Sequence, residues 1–143
     1  MRLTRWPSMA VVVALAFSAA TQSAPAKDGS YRSALSQLRT ARAYIEHPDN
    51  GELHDQERSA IKEMDAAINE LESVVQDGKS FADHAPLDSH LGWIARLNKA
   101  AELLNKAHDN VQKEDDGSGA HDRALPHIAQ AHKFVEQAIA LEQ

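Results

Sequence analysis

The sequence predicts an all-α protein: an antiparallel, up-down four-helix bundle made of two duplicated helical hairpins. Apolar residues recur at three- and four-residue spacing in four segments, which is typical of amphipathic helices. The pattern of the first two segments also returns in the last two. The matched positions are Leu35, Leu38, Ala41 and Ile45 with Ile94, Leu97, Ala100 and Leu104, then Ala60, Ile61, Met64, Ala67 and Leu71 with Ala124, Leu125, Ile128, Ala131 and Val135. Because one hairpin cannot bury its own apolar stripe, we expect the two copies to close on each other.

The N-terminus has the layout of a secretory signal. Arg2 and Arg5 precede a short apolar run over residues 9–20, and small residues follow through Ala26. The run is too short to span a bilayer comfortably, so we expect cleavage and no membrane contact afterwards. Cleavage after Ala20, Ala24 or Ala26 fits this layout. The predicted organisation is therefore a signal peptide over residues 1–26 and a bundle domain over residues 27–143, located in the periplasm or secreted.

Composition narrows the function classes. Without residues 1–26 the chain has 117 residues, enough for one domain, and keeps 13 basic against 21 acidic residues, a net charge of −8. Such a surface repels phosphate backbones, so no nucleic-acid partner is expected. The chain has no cysteine, which excludes disulfides, thiolate metal sites and covalently attached c-type haem. No serine lies in a glycine-framed elbow and no carboxylate lies in an apolar stretch, so no enzymatic activity is predicted.

Proline, glycine and acidic residues mark the ends of the first two predicted helices. Helix one is expected over residues 30–47, where Pro48 stops it and residues 49–51 form the turn. Helix two is expected from Glu52 to Asp77, where Gly78 can adopt the left-handed conformation of a helix cap. The next segment, residues 79–87, has no helical period. We expect it to cross the end of the bundle with Phe81 tucked against that end.

Asp88 or Ser89 is expected to cap helix three, and the polar segment 113–119 to form an exposed turn. Helix four should then run to the C-terminus. Pro126 lies inside its apolar pattern. The helix therefore either begins only a residue or two before Pro126 or kinks there.

Eight histidines make metal binding the first function to consider. Since no two of them lie three or four residues apart, a site must be assembled between helices. In an up-down bundle both hairpin turns lie at the same end, which would bring together His47, His54, His108 and His121. The acids expected at that end are Asp49, Glu52, Asp55, Asp109, Glu114, Asp115, Asp116 and Asp122. This mixture suits a divalent metal such as Cu, Zn or Ni. The alternative is a set of solvated polar groups at helix ends.

The remaining polar residues have simpler interpretations. His132 takes the place of Ile68 in the repeat and is expected to lie at the edge of the core, whereas His84, His90 and His127 are expected in loops or on the surface. Four basic residues could line a groove between helices one and two and hold an anion, or could be surface charges paired with nearby glutamates. They are Arg39, Arg42, Arg58 and Lys62.

Two stretches resemble a known family. They are AHDRALPHIAQAH at residues 120–132 and ERSAIKEMDAAI at residues 57–68. These alanine- and histidine-bearing helices resemble the periplasmic small metal-binding protein family, and the whole chain resembles small exported helical-bundle proteins. The resemblance implies a periplasmic four-helix bundle that binds metal. In that family histidine repeats along every helix, whereas here the second helix has histidine only at its start.

The predicted function is that of an exported, non-enzymatic binding or accessory protein. Divalent-metal binding at the hairpin-turn end is its most specific form, and no other cofactor is expected. The alternative is a structural or protein-interaction bundle with an acidic helical surface, with a protein partner or a second copy in a homodimer.

Overall fold

Four α-helices account for most of the computed structural model, which describes residues 25–114 and 116–143. They are α1 (Pro25–Ile45), α2 (Asp55–Glu72), α3 (Trp93–Gln112) and α4 (Ala120–Leu141), with a short 3-10 turn at Pro48–Asn50. The described residues contain no β-strand. The predicted all-α four-helix bundle is therefore confirmed.

Every pair of adjacent helices is antiparallel. The helices α1 and α4 each pack against both α2 and α3, so that α1 faces α4, and α2 faces α3, across the diagonals. The hydroxyl of Tyr31, early in α1, donates to the carbonyl of Glu114, just after α3, at 2.9 Å. Arg123, early in α4, pairs with Glu70 near the end of α2. In chain order the helix directions are therefore up, down, down, up.

The prediction that both hairpin turns share an end is wrong. Residues 73–92, the lengthwise connector, do not cross the bundle end but run along the outer side of α1. The amide of Ala85 donates to the hydroxyl of Thr40 at 3.1 Å, and the amide of Asp88 donates to the hydroxyl of Tyr44 at 2.9 Å. This path returns the chain to the end where α2 began before α3 starts. The two turns therefore lie at opposite ends of the bundle.

The matched repeat positions form the core. The fully buried matched positions of the first helix in each hairpin are Leu38, Ala41 and Ile45 with Leu97, Ala100 and Leu104. Those of the second helix are Ala60, Met64, Ala67 and Leu71 with Ala124, Ile128, Ala131 and Val135. Ile94 and Leu125 are exceptions, since both are only half-buried; in α3 it is Arg96 that is buried near Ile94. The alanines let α2 and α4 approach closely, and the two hairpins pack as if related by a two-fold axis perpendicular to the helices.

Several helix ends differ from expectation. The connector stays non-helical through Leu91, so α3 begins at Trp93 after Gly92 and not at a cap formed by Asp88 or Ser89.

Helix α4 begins at Ala120, directly after Gly119 in the left-handed region at φ 80°. Pro126 is therefore well inside α4, so of the two predicted alternatives the one in which the helix begins a residue or two before Pro126 is wrong. Phe81 lies on the surface, 37% exposed, under the guanidinium of Arg42 at 5.1 Å.

Residues 1–24, which carry most of the predicted signal and the candidate cleavage points Ala20 and Ala24, lie outside the described residues, as does Asp115. Because α1 begins at Pro25, cleavage after Ala26 would fall in its first turn. Within the described part of the chain, no helix has the combination of length and apolarity needed to cross a bilayer.

Candidate functional site

The four predicted metal ligands do not come together. His47 and His54 flank the turn between α1 and α2, whereas His108 and His121 lie near the turn between α3 and α4, at the opposite end. With 20 residues in α3, these ends are about 30 Å apart. The predicted four-histidine site at one bundle end is therefore not formed. Among the described residues, no three histidine, aspartate or glutamate side chains are grouped so that they could hold a metal ion.

The first-turn end is organised by a buried arginine. Arg96 of α3, 4% exposed, donates from Nη1 to Asn50 Oδ1 at 2.8 Å and from Nη2 to Asp49 Oδ2 at 3.3 Å. The Nδ1 atom of His47 accepts a hydrogen bond from the amide of Asp49 at 3.2 Å. Since Nδ1 accepts this hydrogen bond, the His47 side chain caps the 3-10 turn. This arrangement suits a structural role for His47 better than metal ligation.

Glu57 joins the beginnings of α2 and α3. Although it is a carboxylate, it is only 1% exposed. Its Oε2 atom accepts from the backbone amide of His54 at 2.7 Å, and its Oε1 atom accepts from Trp93 Nε1 at 3.2 Å. The rings of His54 and Trp93 lie 6.0 Å apart between centroids. The position of His54 is therefore set by helix capping.

Two imidazoles make close contact with carboxylates through Nδ1. His127 Nδ1 lies 2.6 Å from Glu63 Oε2 on α2, and His121 Nδ1 lies 3.0 Å from Asp122 Oδ1. If the carboxylate accepts the Nδ1 proton, the Nε2 lone pair is left for another ligand, as in many metal-binding histidines. The contact of His127 was not predicted. Glu63 and His127 are equivalent positions of the repeat, and near a two-fold axis such positions face each other.

A groove between α3 and α4 contains two further histidines. His108 and His132 line it together with Leu104, Asn105, Ile128 and Ala129, around a volume of about 190 Å³. Both histidines are half-buried, while Leu104 and Ile128 are fully buried and form the floor. The position of His132 at the edge of the core agrees with expectation. His108 and His132 lie 24 residues apart in the sequence, so the local spacing of histidines did not indicate the pair.

The three arginines that could either line an anion-binding groove or act as paired surface charges are all paired with carboxylates. Arg39 is fully buried and donates to both carboxylate oxygens of Asp77, at 2.6 and 3.2 Å, and to Glu72 at 2.7 Å. The hydrogen bond from Arg39 holds the pKa of Asp77 below its usual value. Arg42 pairs with Glu46 and Asp65, and Arg58 pairs with Asp55. The contacts of Arg39 with Glu72 and Asp77, and of Arg42 with Asp65, tie α2 and the lengthwise connector to α1. Because Arg39 is buried, it is not a surface charge.

No family model, no curated protein and no solved structure was found to match this chain. The resemblance to the periplasmic small metal-binding family therefore rests on the two quoted helical stretches and stays a prediction.

Proposed function

We propose that this protein is an exported, non-enzymatic binding protein that takes divalent transition-metal ions at imidazoles on its helix surfaces. The observation that supports this most directly is the orientation of His121 and His127 by carboxylates at their Nδ1 atoms, 3.0 and 2.6 Å away. A carboxylate in this position selects the tautomer that presents Nε2 outwards and makes that nitrogen a better ligand. Imidazoles mixed with carboxylates favour Cu²⁺, Zn²⁺ and Ni²⁺ over Mg²⁺ and Ca²⁺.

The setting of these residues favours exchangeable binding over a permanent metal centre. The side chain of His127 is 38% exposed and that of His121 is 18% exposed, so an ion held there keeps part of its water shell. Residues 27–143 carry a net charge of −8, which attracts cations towards the surface from solution. The bundle would then act as a low-affinity acceptor of metal ions in the periplasm.

Titration of the purified, tag-free protein tests this proposal. Isothermal calorimetry with Zn²⁺, Ni²⁺ and Cu²⁺ near neutral pH should give saturable heats, and the imidazole signals in NMR spectra should shift selectively. Titration with Mg²⁺ is the matched control, because this ion prefers oxygen ligands and should leave the imidazole signals unchanged. If none of the three transition metals gave a saturable signal, the proposal would be wrong.

A second candidate function, a protein-interaction bundle, is favoured by the apolar surface at one end of the bundle. Leu141, 66% exposed, borders a shallow depression of about 80 Å³ with the half-buried Trp93 and with Ala138. Exposed apolar residues beside a Trp are typical of interaction surfaces. Sedimentation equilibrium tests for a homodimer, and a pull-down from periplasmic extract tests for a protein partner. A mass that stays monomeric at all concentrations, together with no retained partner, would contradict this function.

A further inference from the structure

We propose that His108 of α3 and His132 of α4 form a two-imidazole site for a divalent transition-metal ion in the groove between these helices. Asn105 supplies an amide oxygen as a weaker third donor, and water molecules fill the remaining positions. This inference rests on the proposed function, because it names one site for the metal ions that the protein is proposed to bind. The site differs from the turn end expected from the sequence.

The antiparallel packing of α3 and α4 directs both histidines towards the same part of the groove. In an α-helix each side chain leans towards the N-terminus of its own helix. His108 therefore leans back towards the level of Asn105, and His132 leans back towards the level of Ala129. Because the two helices run in opposite directions, the two side chains lean towards each other, and all four residues line the same groove.

The groove has room for a partly hydrated ion. Its volume of about 190 Å³ compares with roughly 30 Å³ for one water molecule in the liquid, so an ion and several water molecules fit. Ala129 contributes only a methyl group to the lining of the groove. The floor formed by Leu104 and Ile128 is apolar and offers no competing ligand for the histidines.

The donor set selects the class of ion. Two imidazole nitrogens with an amide oxygen suit Cu²⁺, Ni²⁺ and Zn²⁺, and among these Cu²⁺ is expected to bind most tightly. Glu136 lies one turn beyond His132 on α4, with its Oε1 atom 3.7 Å from His132 Nε2. A small rotation would allow this carboxylate to accept the Nε2 proton, which would leave Nδ1 of His132 for the metal.

Removal of either histidine tests the site. In the purified, tag-free protein, His108→Ala and His132→Ala should each weaken Cu²⁺ and Ni²⁺ binding by at least about tenfold in calorimetry, because even the loss of a group that only hydrogen-bonds to a metal ligand costs about this much affinity. His90→Ala, in the exposed part of the lengthwise connector, is the matched control and should leave the affinity unchanged. Electron paramagnetic resonance of the Cu²⁺ complex should show coupling to two nitrogens in the wild type and to one in each groove variant.

A gain of affinity provides a test that keeps both histidines. Ala129 is exposed and lies three residues before His132, on the same face of α4. The variant Ala129→His should therefore add a third imidazole and tighten Zn²⁺ and Ni²⁺ binding at least about tenfold, the lower end of the change seen when a metal site loses one supporting group. Circular dichroism would confirm that each variant keeps its helical content.

The outcomes separate this site from the broader function. If the wild type binds metal but neither groove variant changes the affinity, the site is wrong while metal binding at other histidines stands. A failure of Ala129→His to tighten binding would also overturn the site. If the wild type binds no transition metal, both the site and the proposed function are wrong.

Discussion

Replacing Arg39 by methionine should destabilise the protein by about 3–5 kcal/mol, the usual cost of breaking a buried ion pair by removing one partner. Arg39 is fully buried, and the side chain of Asp77 is only 8% exposed. Loss of the charge-assisted bonds to Asp77 should cost about 2–3 kcal/mol. Glu72, 33% exposed, can recover hydration, so its share should be about 1 kcal/mol. Methionine keeps most of the apolar stem of arginine, so little packing is lost.

The free energy of unfolding can be measured by urea denaturation followed by far-UV circular dichroism. For a domain of this size the melting temperature should fall by roughly 10–20 °C. Arg42→Met is the matched control, because Arg42 lies one turn further along α1 and also pairs with two carboxylates, Glu46 and Asp65. Those carboxylates are 37% and 34% exposed, so the control should cost less than about 1 kcal/mol. Equal costs for the two variants would refute the reasoning.

Three further measurements follow from the same contacts. Because Arg39 lowers the pKa of Asp77, the ionised carboxylate stabilises the fold above its unfolded pKa of 3.8, and this stability is lost as the pH falls through the lower folded value. The difference in unfolding free energy between wild type and Asp77→Asn, about 2 kcal/mol at pH 7, should therefore shrink below about pH 4, and a constant difference would contradict this. Pro126→Ala should stabilise the fold by about 2 kcal/mol, because a proline inside a helix costs roughly 3 kcal/mol and this exceeds what proline contributes by restricting the unfolded chain. An unchanged urea midpoint would argue against this prediction. Glu57→Ala should lower the free energy of unfolding by about 2 kcal/mol and shift the fluorescence emission of Trp93 to the red. Glu57→Gln should have a smaller effect on both quantities. Unaltered emission would show that the hydrogen bond to Glu57 does not hold the indole in place.

The repeat explains how much of the fold could be predicted from the sequence. Helical periodicity is local, so the stripes that contain Leu38, Met64, Leu97 and Ile128 could be recognised without any knowledge of their partners, and all four residues are fully buried. Helix ends were less well predicted. The starts of α3 and α4 depend on the backbone conformation at Gly92, Gly119 and their neighbours. That conformation depends in turn on where the connecting segments pack.

The candidate site was predicted less well than the fold, because it depends on the relative direction of the two hairpins. Two copies of a hairpin bury the same stripes whether their turns share an end or lie at opposite ends. The choice is made by the lengthwise connector, which is long enough to return along α1 and is held there by Thr40 and Tyr44. This choice moves His108 and His121 away from His47 and His54.

The sequence by itself determined the number of helices, their apolar faces and their duplication, because these follow from the order of apolar and polar residues along each segment. Only the tertiary structure decided which polar side chains from different segments of the chain meet. Arg39 and Asp77 lie 38 positions apart in the chain, and no local pattern records that they are partners. The same holds for His108 and His132, whose proximity depends on the antiparallel packing of α3 and α4 and on the direction in which side chains lean from a helix.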